Sequence, residues 1–368
     1  MKVTAAVLEV LGAERPYAGS TPLTVGEVDL AAPVGREVLV RMEAAGICHS
    51  DLSVVDGNRP RPVPMLLGHE ACGRVEAVGP DATQVVLGQR VVMTFLPRCG
   101  ECEGCLTDGI RPCVVGSASN EAGHLIGGGS RITRDGAPVS HHLGVSGFAS
   151  HAVVDERSVV AVGDDVPPGV AAVLGCAVLT GGGAVLNAGR PRPGETVAVV
   201  GLGGVGMAAI LTALSVDDVT VVGIDADPGK LEVARDLGAH SVLGPAEAVE
   251  SGLAADVVVE AAGNVRAFET AVAVTGPGGR TVTVGLPPAA AMASVSPLRL
   301  VAGGRSIIGS YLGSAVPSRD IPEFVELWRA GRLPVERLIT STISLAEVNQ
   351  GMDDLADGRA LRQIIEFG

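Results

Sequence analysis

Four cysteines, in Cys99-Gly-Glu-Cys102-Glu-Gly-Cys105 and then Cys113, are spaced to close a tetrahedral thiolate cage around a zinc ion. A closed cage of this kind leaves no position for a substrate, so its role is structural. Three further cysteines, Cys48, Cys72 and Cys176, complete the chain's set. Cys48 stands in Gly46-Ile47-Cys48-His49-Ser50-Asp51, and Cys176 in Gly175-Cys176-Ala177-Val178-Leu179-Thr180-Gly181. Between them lies Gly68-His69-Glu70. Two thiolates from Cys48 and Cys176 with the imidazole of His69 leave a fourth coordination position open on zinc, the feature that separates a catalytic from a structural site. These ligands are remote in sequence, so spacing does not establish them. Taken alone, Cys176 is the kind of cysteine usually found in a core, and Cys72 fits a small core space.

Two other readings of the four-cysteine run are weaker. A bacterial iron–sulfur run ends in proline after its last cysteine, whereas here Pro112 precedes Cys113 and Val114 follows it. Disulfides require an oxidising compartment. The stretch from Met1 to Val10 is interrupted by Glu9 before a signal core forms, and no uninterrupted apolar run is read as long enough to span a bilayer. A cytoplasmic protein without a membrane partner is expected. The net charge of −14 disfavours nucleic acid and anionic lipid as partners, since both are bound through positive surface. With 2% aromatics among 47% hydrophobic residues, aliphatic side chains must fill the cores.

A second constellation is Gly201-Leu202-Gly203-Gly204-Val205-Gly206, which follows the apolar run Thr196 to Val200 and precedes the helix-like Met207 to Leu214. In that setting the first glycine permits the turn, the second lets backbone approach a pyrophosphate, and the third lets helix pack on strand. The helix N-terminus offers its free N–H groups to the phosphates. Asp225 ends the next strand-like run, 22 residues beyond Gly203, where a carboxylate can accept hydrogen bonds from the adenosine ribose. It would repel a 2′-phosphate, and no arginine follows it at once, so NAD is the expected coenzyme. Lys230 can steady the ribose region.

The elements that must position these residues fall into two textures. Val38 to Ala45 and Gly73 to Val92 show short apolar or alternating runs broken by Gly, Pro and Asp, with few helix patterns. From Thr196 onward strand runs at 219–224, 242–243, 257–259 and 281–284 alternate with helix patterns such as Lys230 to Leu237, the mark of a parallel sheet with helices on its faces. Ala289 to Ala293 reads as a loop. A helix-like Ile321 to Ala330 and a strand Gln363 to Phe367 follow. At 368 residues two domains are expected, with the C-terminal tail returning to the first.

In order and type, Cys48-His49-Ser50-Asp51, Gly68-His69-Glu70, the four-cysteine lobe, Gly175-Cys176 with Thr180-Gly181, Gly201 to Gly206 with Asp225, and Val284-Gly285 before Pro287-Pro288 resemble the zinc-dependent alcohol dehydrogenases of the medium-chain dehydrogenase/reductase superfamily. The resemblance covers essentially the whole chain. It implies an α/β protein with a β-rich GroES-like catalytic domain at 1–177 and 312–368, carrying a structural-zinc lobe at about 97–115, and a Rossmann-fold, doubly wound parallel-sheet domain at 178–311. It also implies two zinc ions per chain, NAD, and reversible hydride transfer between an alcohol and an aldehyde or ketone.

By the same resemblance, zinc on Cys48, His69 and Cys176 supplies Lewis acidity, Ser50 relays the alcohol proton, and Asp51 orients His69 by accepting its second ring N–H. Glu70 lies behind the metal. His49, Thr180, Val284, Leu286 and Arg362 match coenzyme-contacting positions; for His49 and Arg362 a solvent-facing role is the competing reading. Ser53 stands where many members end their proton relay with histidine. Phe95, Ala118, His142, Leu143, Leu286 and Tyr311 match substrate-pocket positions, with ordinary packing as the alternative for each. His142 departs from the usual apolar aromatic and points to a bulky or polar alcohol, primary and benzylic among the candidates. The loop from Gly116 to Ser140 resembles that of dimeric members, so a homodimer is expected. Ser117 replaces the arginine of glutathione-dependent formaldehyde dehydrogenases, which weakens that alternative; a mycothiol adduct stays open. A non-catalytic zinc and dinucleotide-binding protein is the alternative from another class, disfavoured because Cys48, Ser50, His69 and Cys176 are all present.

Overall fold

A computed structural model describes residues 1–368, which form two compact units: 1–176 with 339–368, and 177–338. In the first, a small closed barrel is built from Lys2–Leu8, Leu23–Leu30, Ile132–Arg134, Ala137–His141 and Met65–Leu66. A larger sheet runs in the order Val159–Val162, Arg90–Met93, Glu70–Val78, Glu37–Ile47, Gln363–Glu366 and Ser341–Ile343, with His151–Asp155 also on Glu37–Ile47. Gln363–Glu366 lies antiparallel to Glu37–Ile47, with Gln363 opposite Ile47. The core is aliphatic, as the scarcity of aromatics requires: Leu8, Leu23, Met42, Ile47, Met65, Leu66 and Met93 are fully buried, joined by Phe148.

The second unit is a six-stranded parallel sheet in the order Ser241–Leu243, Thr220–Ile224, Thr196–Val200, Ala255–Glu260, Thr275–Thr283, Ser306–Gly309. In chain order that is 3-2-1-4-5-6, the doubly wound dinucleotide-binding arrangement. Its central strand is buried from Val197 to Val200, which is why the sequence shows a continuous apolar run there rather than an alternating one.

Three expectations need correction. Residues 312–338, assigned from sequence to the first domain, belong to the second unit. The helix Pro317–Arg329 buries Ile321, Phe324 and Val325, with Phe324 packed on Gly182, and Asp320 accepts the Val316 N–H at 2.9 Å and the Asn187 side-chain N–H at 3.0 Å. The segment read as a loop from Gly116 to Ser140 holds most of the helix Val114–Ala122 and the hairpin Ile132–Arg134 with Ala137–His141. Finally, the helical run Pro168–Gly189 is long and apolar enough to cross a membrane, with mean hydropathy 2.0, yet it is 89% buried inside the protein. Its apolarity is that of a core helix.

Candidate active site

The local sequence Cys48-His49-Ser50-Asp51 starts the helix His49–Val55 with Cys48 as its N-cap: the Asp51 N–H donates to the Cys48 carbonyl at 3.0 Å, and an Asp51 carboxylate oxygen accepts the Cys48 N–H at 3.1 Å. The same carboxylate takes the Gly68 N–H at 3.2 Å and His69 Nδ1 at 3.0 Å. An N-cap exchange thus links the end of strand Glu37–Ile47 to the start of Glu70–Val78. Cys176 comes from a π-helical turn, Leu174–Val178, in the apolar helix; such turns often occur at functional positions.

Cys48, His69 and Cys176 are all buried, and their donor atoms lie within 4.8 Å of one another. Cys176 Sγ is 3.4 Å from His69 Nε2, close to the ~3.6 Å edge of a tetrahedron with ordinary Zn–S and Zn–N bonds. The Asp51 contact puts the proton on His69 Nδ1, leaving the Nε2 lone pair for a metal. Burial alone would raise the Asp51 pKa, but the charges of His69 and His142 and the His69 N–H outweigh it and hold the carboxyl at about 2. Cys48 is drawn well below the usual thiol range by the hydrogen bond from Cys176, with help from the Arg362 charge. Two soft sulfur donors and an oriented imidazole are a zinc donor set with one position open.

Behind these donors Glu70 and Arg362 form a fully buried pair, Nη1 standing 3.4 Å from Oε2 and donating to the Ile47 carbonyl at 3.2 Å. Burial pushes Glu70 up to about 7 despite the opposing Arg362 charge. This gives Arg362 a place beside the metal donors that the sequence reading did not assign, while its Nε keeps no protein partner.

In the lobe, Cys99, Cys102, Cys105 and Cys113 also bring their sulfurs within 4.8 Å. Cys99–Cys105 and Cys102–Cys113 are each separated by 3.8 Å, the edge of a tetrahedron with Zn–S bonds of about 2.3 Å. Backbone N–H groups of Cys99, Cys102 and Gly116 point at the sulfurs of Cys113, Cys99 and Cys113, which suits thiolates rather than thiols.

In the second unit the glycine turn has Gly201 at φ +91°, and a Cβ on Gly206 would lie 1.8 Å from the Gly201 carbonyl oxygen, so the helix Gly204–Leu214 can pack there only with glycine. Gly203 and its neighbours Gly204 and Val205 are partly exposed, leaving helix N–H groups open to a phosphate. Asp225 sits at the end of Thr220–Ile224, its carboxylate accepting the Leu202 N–H at 2.7 Å and the Asp227 N–H at 2.9 Å. Beside it opens a cavity of about 360 Å³ lined by Gly201, Ile224, Asp225, Pro245, Asn264 and Arg266, among others.

Residues 35–164 match the alcohol dehydrogenase GroES-like domain, and residues 204–330 the zinc-binding dehydrogenase domain. The protein named "Putative alcohol dehydrogenase D" of Mycobacterium tuberculosis is 37% identical over 375 aligned positions, covering 99% of this chain and 100% of that one. The chain belongs to the zinc-binding alcohol dehydrogenase family. Among solved structures, an alcohol dehydrogenase zinc-binding domain protein from Burkholderia ambifaria is similar with TM-score 0.92 and 33% identity, covering 100% of this chain and 99% of that one. The benzyl alcohol dehydrogenase of Acinetobacter calcoaceticus is similar with TM-score 0.91 and 31% identity, each chain covered fully at 100%. The protein is a zinc- and NAD-dependent oxidoreductase.

Elsewhere in this dehydrogenase the sequence-derived candidates are distributed unevenly. Phe95 and His142 pack edge-on against the His69 ring, with centroids 5.6 and 5.5 Å away. His142 is buried, and its Nδ1 lies 3.2 Å from the Asp51 oxygen that holds His69, attracted to it but too poorly aligned for a hydrogen bond. Leu143 is buried at φ +54°, and Ala118 is exposed on the helix Val114–Ala122. Leu286 and Tyr311 are exposed residues of the other unit, as is the partly exposed Lys230, while Thr180 is buried there. Ser50 is half-buried and His49 exposed in the first turn of their helix; Ser53 Oγ donates to the His49 carbonyl at 2.8 Å. Sequence reasoning missed Asn264 and Arg266 at the cavity. The signal that could have found them is their position just after the fourth strand of the parallel sheet, at the carboxyl end where ligands bind.

Proposed function

We propose that this dehydrogenase oxidises primary, benzylic or otherwise bulky alcohols with NAD, reversibly, through a site made by Cys48, His69 and Cys176. The observation that carries the reading is the buried three-donor cluster with His69 turned by Asp51, which leaves one coordination position for an alcohol oxygen. Zinc bound there supplies Lewis acidity, which lowers the pKa of an alcohol hydroxyl, and a bound nicotinamide supplies the hydride acceptor. The carbinol carbon gives up its hydride and the hydroxyl its proton, yielding aldehyde, NADH and H⁺. Ser50, on the first turn beside Cys48, takes the proton outward. Ser53 is tied to backbone and so serves the relay only by releasing the His49 carbonyl.

Asp225 supports NAD over NADP, because its anionic carboxylate would repel a 2′-phosphate. The edge-on packing of Phe95 and His142 around His69 supports an aromatic-tolerant pocket, in keeping with the similarity to a benzyl alcohol dehydrogenase. A homodimer is part of the same reading. The edge strand Ser306–Gly309 is paired on one side only, and Met292, Leu298 and Val301 in the segment leading to it are 76–85% exposed. A cytoplasmic location suits seven cysteines of which none forms a disulfide.

The test follows NADH absorbance with aliphatic alcohols, benzylic alcohols, and the formaldehyde adducts of glutathione and mycothiol. Benzylic substrates should give the highest kcat/KM; a preference for either thiol adduct would replace this reading.

A further inference from the structure

We infer that Glu260 is a positioning residue for the nicotinamide half of the coenzyme, acting through the loop that carries Val284 and Leu286. The inference rests on the coenzyme reading of that loop, which follows a strand in the half of the sheet away from Asp225, where the second mononucleotide of a dinucleotide binds. Glu260 ends the strand Ala255–Glu260 and is 1% exposed, an unusual place for a carboxylate.

Its carboxylate and backbone carbonyl together join its own loop to the segment after Thr283. One carboxylate oxygen accepts the Ala262 N–H at 2.9 Å and the Gly263 N–H at 2.7 Å; the other accepts the Thr283 hydroxyl at 2.7 Å. Its backbone carbonyl accepts Val284 N–H at 2.9 Å and Gly285 N–H at 3.2 Å. The loops meet backbone to backbone. A Cβ on Gly285 would lie 2.3 Å from Gly263 N and 2.8 Å from the Glu260 carboxylate, and a Cβ on Gly201, in the pyrophosphate turn, would lie 2.5 Å from Ala262. Three strand ends are thus stacked with no apolar side chain larger than the Ala262 methyl between them, so apolar packing does little to set their spacing. The carboxylate is the tie that does so.

The two loops differ in what else holds them. The pyrophosphate turn is fixed independently by Asp225, which accepts Leu202 N–H, and by the glycine packing of Gly206. The segment after Thr283 leaves Val284 partly exposed and Leu286 exposed, and its donors all go to one residue: the Thr283 hydroxyl to the Glu260 carboxylate, and the Val284 and Gly285 N–H groups to the Glu260 carbonyl. Loss of the Glu260 carboxylate should therefore loosen the nicotinamide side and spare the adenosine–pyrophosphate side.

The test measures NADH and ADP-ribose binding to the zinc-loaded full chain by calorimetry, for wild type, Glu260→Ala, Glu260→Gln and Thr283→Val. ADP-ribose lacks only the nicotinamide. Expected is a loss of about tenfold in NADH affinity for Glu260→Ala with ADP-ribose affinity unchanged, and a smaller loss of the same selectivity for Thr283→Val. Glu260→Gln, whose amide oxygen still accepts the two N–H groups, should restore most of it. Equal losses for both ligands, or none for either, overturn the inference. If Glu260→Ala does not fold, Thr283→Val carries the same selectivity test. Wild type that binds neither ligand would instead defeat the coenzyme reading.

Discussion

His141 should make the protein acid-sensitive in a way one substitution removes. The residue is fully buried at the end of the barrel strand Ala137–His141, where its Nε2 accepts the Arg131 N–H at 3.2 Å and its Nδ1 lies 3.3 Å from Ser146 Oγ. Accepting at Nε2 fixes the neutral tautomer with the proton on Nδ1. Burial, together with the Arg131 and His124 charges, lowers its pKa to about 3. Above pH ~6.5 the ring is neutral folded or unfolded, and stability is complete. Below that the unfolded chain takes up a proton that the folded one refuses, so stability falls as pH drops toward 3. At about 1.4 kcal/mol per pH unit, roughly 2 kcal/mol is lost by pH 5. In His141→Gln the amide oxygen can accept the Arg131 N–H, so the variant should be weaker than wild type by ~1 kcal/mol at pH 8 and stronger by about that amount at pH 5. Urea unfolding by far-ultraviolet circular dichroism at both pH values measures the difference, in which other titrating groups cancel. Fluorescence would not serve, because the single tryptophan, Trp328, lies in the other unit. A difference that stays within about 0.5 kcal/mol between the two pH values would refute the reasoning.

Cys48→Ala and Cys176→Ala should each remove one of two zinc ions per chain and cut turnover by about a thousandfold or more while circular dichroism stays native; variants that keep both ions and full activity contradict the site. Asp51→Asn should weaken zinc binding at that site about 10- to 100-fold in chelator competition, because the anion orienting His69 is gone; an unchanged affinity counts against the orienting contact. Asp225→Ala should narrow the preference for NAD over NADP, read as the ratio of kcat/KM values, and an unaltered ratio would dismiss the ribose role.

What was legible from sequence is what local chemistry dictates. The thiolate spacing, the strand–glycine–helix turn and the continuous apolar strands each carry their physical reason within a few residues, and the structure gives each a consistent geometry. Remote pairings were not legible. Nothing near Asp51 in the chain announces that His142 would approach the oxygen that holds His69, and nothing around Glu260 marks a carboxylate that would be buried between two loops. The helix Val114–Ala122 escaped because Gly116 and its serines favour turns, and its cap comes from Cys113, a residue the metal reading had already claimed. The boundary at 312 failed because an amphipathic helix such as Pro317–Arg329 does not encode which unit receives its apolar face.

The returning strand Gln363–Glu366 has a consequence for biosynthesis. It lies in the sheet beside the strand that leads to Cys48, and Arg362 next to it reaches the buried Glu70. Both are translated only after the entire dinucleotide-binding unit, whose sheet uses no residue outside 177–338. Domains tend to fold as they emerge, so the unit encoded second can be finished first. The metal-holding unit waits as an open sheet edge until its last strand is made, and a ribosome stalled beyond residue 338 would carry a folded nucleotide-binding body joined to an aggregation-prone partner.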